Sequence, residues 1–265
     1  MTHVIVHAGF HKTGTTSVQD FFAANRTALR PYVDYHGQGD SLHRSAVAAR
    51  IFAKKPFPWR LGTFRRAFAR DLAALPDAPV ILLSREHYSG VMPGHRSWSG
   101  RSIRRFSRAA KPLSRAISAE LRARFGPDVQ ITFFYTTRGF DSWIDSVHGH
   151  LLRTKDLTED AASFRARFSV KDGPEAEARR MSRYLAPIPV VTAALEDHGD
   201  SREGCASVLL DLIDVPEEVR ASLAPARHAN AGPGTETRDA LRDLNQRDMT
   251  KAARQAAKAA LLARG

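Results

Sequence analysis

One cysteine, Cys205, is all the chain has. It cannot close an intrachain disulfide, which argues for a reducing, cytoplasmic setting, and its place in an apolar helical stretch suits packing better than reactivity. No apolar run approaches the roughly 18 residues of a membrane span. The first such run, 3–8, is too short for a signal-peptide core and leads straight into a glycine loop, so neither a targeting segment nor a membrane partner is expected. Acids are scarce over two long stretches. From Arg44 to Arg70 there are eight Lys or Arg and no acid, and from Arg96 to Arg124 there are nine against Glu120 alone. These stretches suit a nucleic acid, a polyanionic substrate, an anionic nucleotide or plainly solvated helix faces. With no interleaved aromatics the charge does not decide among them, and nucleic acid is not the partner expected.

What is present is enough apolar material for a core. Hydrophobic residues make up 43% of the 265, and the net charge is +12. Buried strands are expected at 3–8, 78–84, 129–135 and about 187–194, alternating with helical patterns at about 15–29, 42–53, 62–75, 113–125, 140–153, 158–168, 174–185 and 202–213. That alternation predicts an α/β fold: one domain, 1–265, with a mainly parallel sheet flanked by helices. The basic stretch 92–111 reads as a mobile loop. Residues Ala229–Gly234 read as a linker that delivers a charged terminal helix over about 236–264.

The segment Gly9-Phe-His-Lys-Thr-Gly-Thr-Thr-Ser17 stands between the first strand and the first helix. In that context loop N–H groups and a helix N-terminus make an anion site, with glycines at 9 and 14 allowing tight turns. Lys12 adds a charge, and Thr13, Thr15, Thr16 and Ser17 add hydroxyls. An ATP-binding P-loop would need lysine where this chain has Thr15. No strand ends in a magnesium-binding aspartate either: the second ends at Ser84-Arg85 and the third at Thr137-Arg138. A metal-free donor of a less charged group fits better than Mg-ATP.

The run from His7 through Gly9, His11 and Lys12 to Ser17 resembles the 5′-phosphosulfate loop of sulfotransferases that use 3′-phosphoadenosine-5′-phosphosulfate (PAPS), bacterial ones in particular. In that family a strand-end arginine and a serine eight residues later hold the 3′-phosphate. Arg138 and Ser146 match that spacing, with Asp141 and Trp143 between them. The family often has proline after the arginine, where this chain has Gly139. The resemblance extends to Glu196-Asp197 after the fourth strand and, weakly, to Asn230. It implies a P-loop, sulfotransferase-like fold, PAPS as donor, 3′-phosphoadenosine-5′-phosphate (PAP) as product, and no metal.

The same resemblance gives Lys12 the leaving phosphate and His11, Lys12, Thr13, Gly14, Thr15, Thr16, Ser17, Arg138 and Ser146 the nucleotide. It implies a base just after the second strand. Glu86 is the first candidate, His87 the second and His11 the third, while pairing of Glu86 with Arg85 or Arg138 is the plain alternative. His148 and His150, two apart on a helix, face different ways, and no Cys/His spacing suggests a metal. The acceptor, a carbohydrate or other small molecule with a hydroxyl or amine, is expected to be chosen by 31–75 and 92–111. A P-loop kinase or NTPase, and a basic binding protein of the same fold without catalysis, remain open readings.

Overall fold

A computed structural model describes residues 1–39, 41–227 and 234–263. Five parallel strands form one sheet in the order β2-β3-β1-β4-β5: β1 is His3–His7, β2 Asp34–His36, β3 Val80–Ser84, β4 Gln130–Thr137 and β5 Val190–Ala194. Side chains alternate across the strands, so each sheet face feeds its own core. Val4, Val6, Leu83, Phe133 and Tyr135 belong to one core, and Ile5, Leu82, Phe134 and Tyr35 to the other. Helices α1 (Thr15–Ala24) and α2 (Arg26–Leu29) follow β1. Helices α3 (His43–Lys54) and α4 (Pro58–Ala73) follow β2, and α5 (Ser107–Phe125) joins β3 to β4. Then come α6 (Phe140–Thr154), α7 (Ala161–Ala166) and α8 (Pro174–Leu185). After β5 come α9 (Leu195–His198), α10 (Ala206–Leu212), α11 (Glu217–Ser222), α12 (Thr235–Gln246) and α13 (Lys251–Leu262).

The α/β class and the parallel sheet agree with the sequence pattern, but several details differ. First, a fifth strand, β2, was not foreseen. It is a three-residue edge strand, too short to show alternation, and Tyr35 anchors it by packing its ring at a tilt against Phe22, centroids 5.5 Å apart, and donating its hydroxyl to Gln19 O at 3.2 Å. Second, the helix expected over 15–29 breaks at Asn25. The Asn25 amide donates to Phe21 O at 3.0 Å and accepts from Ala224 N at 2.7 Å, satisfying groups that a continuing helix would have used. Third, the helix expected over 236–264 is two. Thr250 caps the second, accepting from Ala253 N at 3.2 Å, and Arg254 holds Arg247 O across the break. The linker expected at Ala229–Gly234 and the similarity at Asn230 lie outside the described residues, apart from Gly234, the N-cap of α12.

The basic stretch 92–111 is tied down at several points. Gly94 N and Ile103 O, and Ile103 N and His95 O, are each 2.8 Å apart, forming a small hairpin. Helix α5 then starts at Ser107, six residues earlier than its pattern suggests, because buried Glu177 accepts from Ser107 N at 2.6 Å. Just before it, Arg104 and Arg105 donate to buried Asp172 at 3.0 and 2.8 Å. Burial alone would raise the Asp172 pKa, but the hydrogen bonds from Arg105, Ser169 N and Arg104 outweigh it and hold it low. Its folded pKa is depressed, so its contribution to stability is complete above the ordinary aspartate range and lost as pH falls below it. Asp172→Asn should destabilise the fold by about 1–3 kcal/mol at neutral pH, the cost of stranding buried charged hydrogen bonds. Urea denaturation checks this, and the wild-type advantage should shrink in acid.

Candidate functional site

The carboxyl ends of β1, β3 and β4 lie side by side, with His7 in register with Ser84 and with Phe134. Open parallel sheets bind ligands at this edge, where the strand order changes direction. The loop after β1 is bent tightly. A Cβ on Gly9 would sit 2.6 Å from Thr15 Oγ1 and 2.8 Å from His7 Nε2, so only glycine fits. Lys12 and Gly14 are left-handed, with φ of 70° and 91°. Glycine adopts this conformation freely; lysine does so at a cost that the surrounding loop must hold in place. Gly14 is the N-cap of α1, with no side-chain cap and no acid in the first turn, so the helix begins with free N–H groups.

The hydroxyls divide by task. Thr13 Oγ1 donates to Phe10 O at 2.7 Å and lies 2.7 Å from Thr136 Oγ1. Thr15 Oγ1 donates to Phe10 O at 2.9 Å. Both therefore clamp the loop onto β4, and Thr13, fully buried, does not reach the cleft. Ser17 Oγ donates to Arg227 O at 2.8 Å. Thr16 is exposed and has no hydrogen bond from its hydroxyl among the described residues. From the other side Trp143, fully buried on α6, donates its indole N–H to His11 O at 3.1 Å.

A cleft of about 490 Å³ opens over this loop. Its walls bring together His11, Lys12, Gly14, Thr15, Thr16, Ser17, Glu86, Arg138 and Ser146, all expected site residues. Arg138, at the end of β4, donates Nε to Ser142 Oγ at 3.0 Å. Gly139 donates its N–H to Glu196 Oε1 at 3.0 Å, a bond that a proline after Arg138 could not make, having no such hydrogen. His87 is not on the cleft wall, but its ring meets His11 edge-on at 5.6 Å.

Glu86 opens the single helical turn Glu86–Ser89 after β3. His11 lies beside it, with Nε2 3.7 Å from Oε1, a pair that is ionic only when the imidazole is protonated; neither Arg85 nor Arg138 pairs with it among the described residues. Burial pushes the Glu86 pKa up, against the pull of His87 and Lys12. Burial, with Arg153 and Arg138 adding to it, pushes Lys12 down. Arg85 is also buried, and two of its guanidinium nitrogens have no partner among the described residues.

Sequence reasoning missed part of the lining: Met92, His95, His150 and Arg153, and also Leu195, Gly199, Asp200, Gly204 and Cys205, border the cleft. Ser146, His150 and Arg153 stand at i, i+4 and i+7 on α6, one helical stripe that could have been noticed. His148 points into the core instead, against Phe164, with Nε2 2.9 Å from Glu159 O. Cys205 is buried where α10 begins, and burial pushes its thiol up to about 11, so it is not a thiolate at neutral pH. Among the described residues there is no group of three His, Cys, Asp or Glu arranged to hold a metal, and no helix long and apolar enough to cross a membrane. No protein-family model matches the chain, and no curated protein does.

His11, His87, His95 and His150 are each held down to about 4, first by burial and then by neighbouring positive charge. In the folded chain they stay neutral until about pH 4, whereas unfolded they protonate near 6.5. Between those values the unfolded state binds more protons, so stability should fall as pH drops from about 6.5 towards about 4. Denaturant midpoints across that range check it. The double substitution His95→Gln, His150→Gln should flatten the slope.

Proposed function

We propose that this chain is a PAPS-dependent sulfotransferase that moves a sulfuryl group to a hydroxyl or amine acceptor and releases PAP. The observation that carries the reading is the meeting of two separate anion sites in one cleft. One is the left-handed loop around Lys12 with the open start of α1; the other is Arg138 with Ser146. A nucleotide phosphorylated at both the 5′ and 3′ ends needs such a pair, and a nucleoside triphosphate does not. The cradle suits PAPS on its own chemistry: Gly9 leaves no room for a side chain, and Thr16 and Ser146 have hydroxyls without partners among the described residues. Thr15 stands where a triphosphate loop has its lysine, and its hydroxyl is spent on Phe10 O. β3 and β4 end in Ser84 and Thr137, not in the aspartate that would hold the magnesium such a loop requires.

Each cleft residue then has a task. The acceptor oxygen or nitrogen forms the new bond to sulfur while the bond from sulfur to the bridging phosphate oxygen breaks, its electron pair leaving with PAP. Lys12 stabilises the charge that grows on that oxygen. Glu86 takes the acceptor proton, and its upward-shifted pKa makes it a stronger base than a solvated carboxylate. His11, held neutral beside it, leaves Glu86 free of a permanent ion pair.

Lys12→Ala should cut turnover at least about a hundredfold while changing PAP affinity far less. Near-normal turnover would remove Lys12 from the mechanism. Arg138→Ala should weaken PAP binding by several kcal/mol and Ser146→Ala by about 1 kcal/mol, read by calorimetry. Glu86→Gln should lower turnover by about 10²–10⁴-fold with PAP binding and melting temperature near wild type. A thermal-shift titration separates the rivals. Stabilisation by PAP alone supports the proposal, stabilisation by Mg-ATP alone favours a kinase, and neither sinks both.

A further inference from the structure

Met92, His95, His150 and Arg153 line the cleft together with Glu86, and Arg153 stands two helical turns beyond Ser146 on the same stripe of α6. Arg153 is exposed; its guanidinium makes no ion pair among the described residues, and its one recorded contact is His150 Nδ1 at 3.5 Å. Lys54 and Lys155 stand close enough for His95 to feel both charges, and they too have no acidic partner among the described residues. If PAPS takes Lys12, Arg138 and the start of α1, Arg153, Lys54 and Lys155 remain without an ion-pair partner among the described residues. Positive charges gathered without acids repel one another unless an anion joins them.

A second feature adjoins these residues. Trp59 and Trp98 are 64% and 58% exposed, unusual for so large an apolar side chain. Phe57 stacks flat on Trp59 with centroids 4.6 Å apart, and lies 5.2 Å from Trp98. Trp98 donates its backbone N–H to Lys54 O at 3.1 Å. It is three residues from His95, at most about 11 Å of chain from the cleft wall. Flat, exposed rings beside unpaired cations match a ligand that alternates apolar ring faces with negative charges.

We infer that the acceptor is an acidic oligosaccharide, with a carboxylate of one sugar on Arg153 and further sugar rings lying on the ledge of Phe57, Trp59 and Trp98. This inference rests on the sulfotransferase reading for the word acceptor, but the binding surface it describes does not need catalysis to be measured. A saccharide hydroxyl would then sit between Glu86 and Lys12, and His95 and His150, neutral, would be free to donate or accept hydrogen bonds with its neighbours.

The test is calorimetry on the full chain with a uronic-acid tetrasaccharide and with the same molecule after its carboxylates are reduced to alcohols. PAP is titrated into the same protein preparations. The acidic form should bind at least about tenfold more tightly than the neutral one. Arg153→Ala should erase most of that preference, whereas Trp98→Ala and Trp59→Ala should weaken both forms by a similar factor. Equal affinity for the two forms, no binding of either, or an undiminished preference in Arg153→Ala would each overturn the inference. Binding of PAP without any preference for the acidic saccharide overturns the acceptor assignment and leaves the proposed function standing. Preference for the acidic saccharide without PAP binding overturns the function and upholds the saccharide surface.

Discussion

The hydroxyl of Thr136 lies 2.7 Å from that of Thr13 and 3.3 Å from that of Thr15, and both of these threonines donate to Phe10 O. This small buried knot ties the loop after β1 to the neighbouring strand β4. A second knot ties β1 to β3: His7 Nδ1 and Ser84 Oγ are 2.7 Å apart, and Gln19 reaches the same hydroxyl at 3.2 Å. With Trp143 holding His11 O, the loop is fastened on three sides. Left-handed backbone at Lys12 persists only under such over-determination. Without it, the lysine would relax and the cleft would lose the charge that organises everything above it.

That fastening explains the unusual electrostatics of the cleft. Lys12, Arg138 and Arg153 share a partly dry space, so each new positive charge is resisted. Histidines respond most readily, because their ordinary pKa lies close to neutrality. Holding His11, His95 and His150 neutral keeps the cleft supplied with donors and acceptors without adding to its charge. Glu86 is shifted the opposite way by the same dryness.

The strands were legible because parallel strands buried on both faces are near-continuous apolar runs; β2, three residues at an edge, offered no such run. The loop was legible for a related reason: glycine at 9 and 14 reports a local backbone need that no partner elsewhere can disguise. Arg138 and Ser146 stand out only by resemblance to a family pattern, an arginine at a strand end and a serine eight residues on; by themselves the two residues carry little signal. The direction of a hydroxyl was not legible. Thr13 and Thr15 look like ligand donors in sequence, yet their partner Thr136 is more than a hundred residues away. The rest of the cleft lining was hidden likewise, since His95 comes from a hairpin and Arg153 from α6, and only the fold brings them together. The helix break after Gln246 carried a local clue, the capping Thr250, obscured by a charged pattern on both sides of it.

Helix α6 borders the cleft at Ser146 and, one to two turns on, at His150 and Arg153. Seven residues separate Ser146 from Arg153, two turns along one stripe, or about 10 Å of rise. The far end of this helix is clamped: Asn245 and Lys258 donate to Leu152 O at 3.1 and 2.9 Å, and Lys258 also to Lys155 O at 2.7 Å. A straight rod clamped at one end and pinned by buried Trp143 near the other acts as a ruler. It fixes how far apart two negative groups in the cleft can sit, whatever molecules supply them. Adding one residue between Ser146 and Arg153 would turn the arginine by about 100° and lengthen the gap by only about 1.5 Å. The cleft would thus lose its gauge while keeping its size.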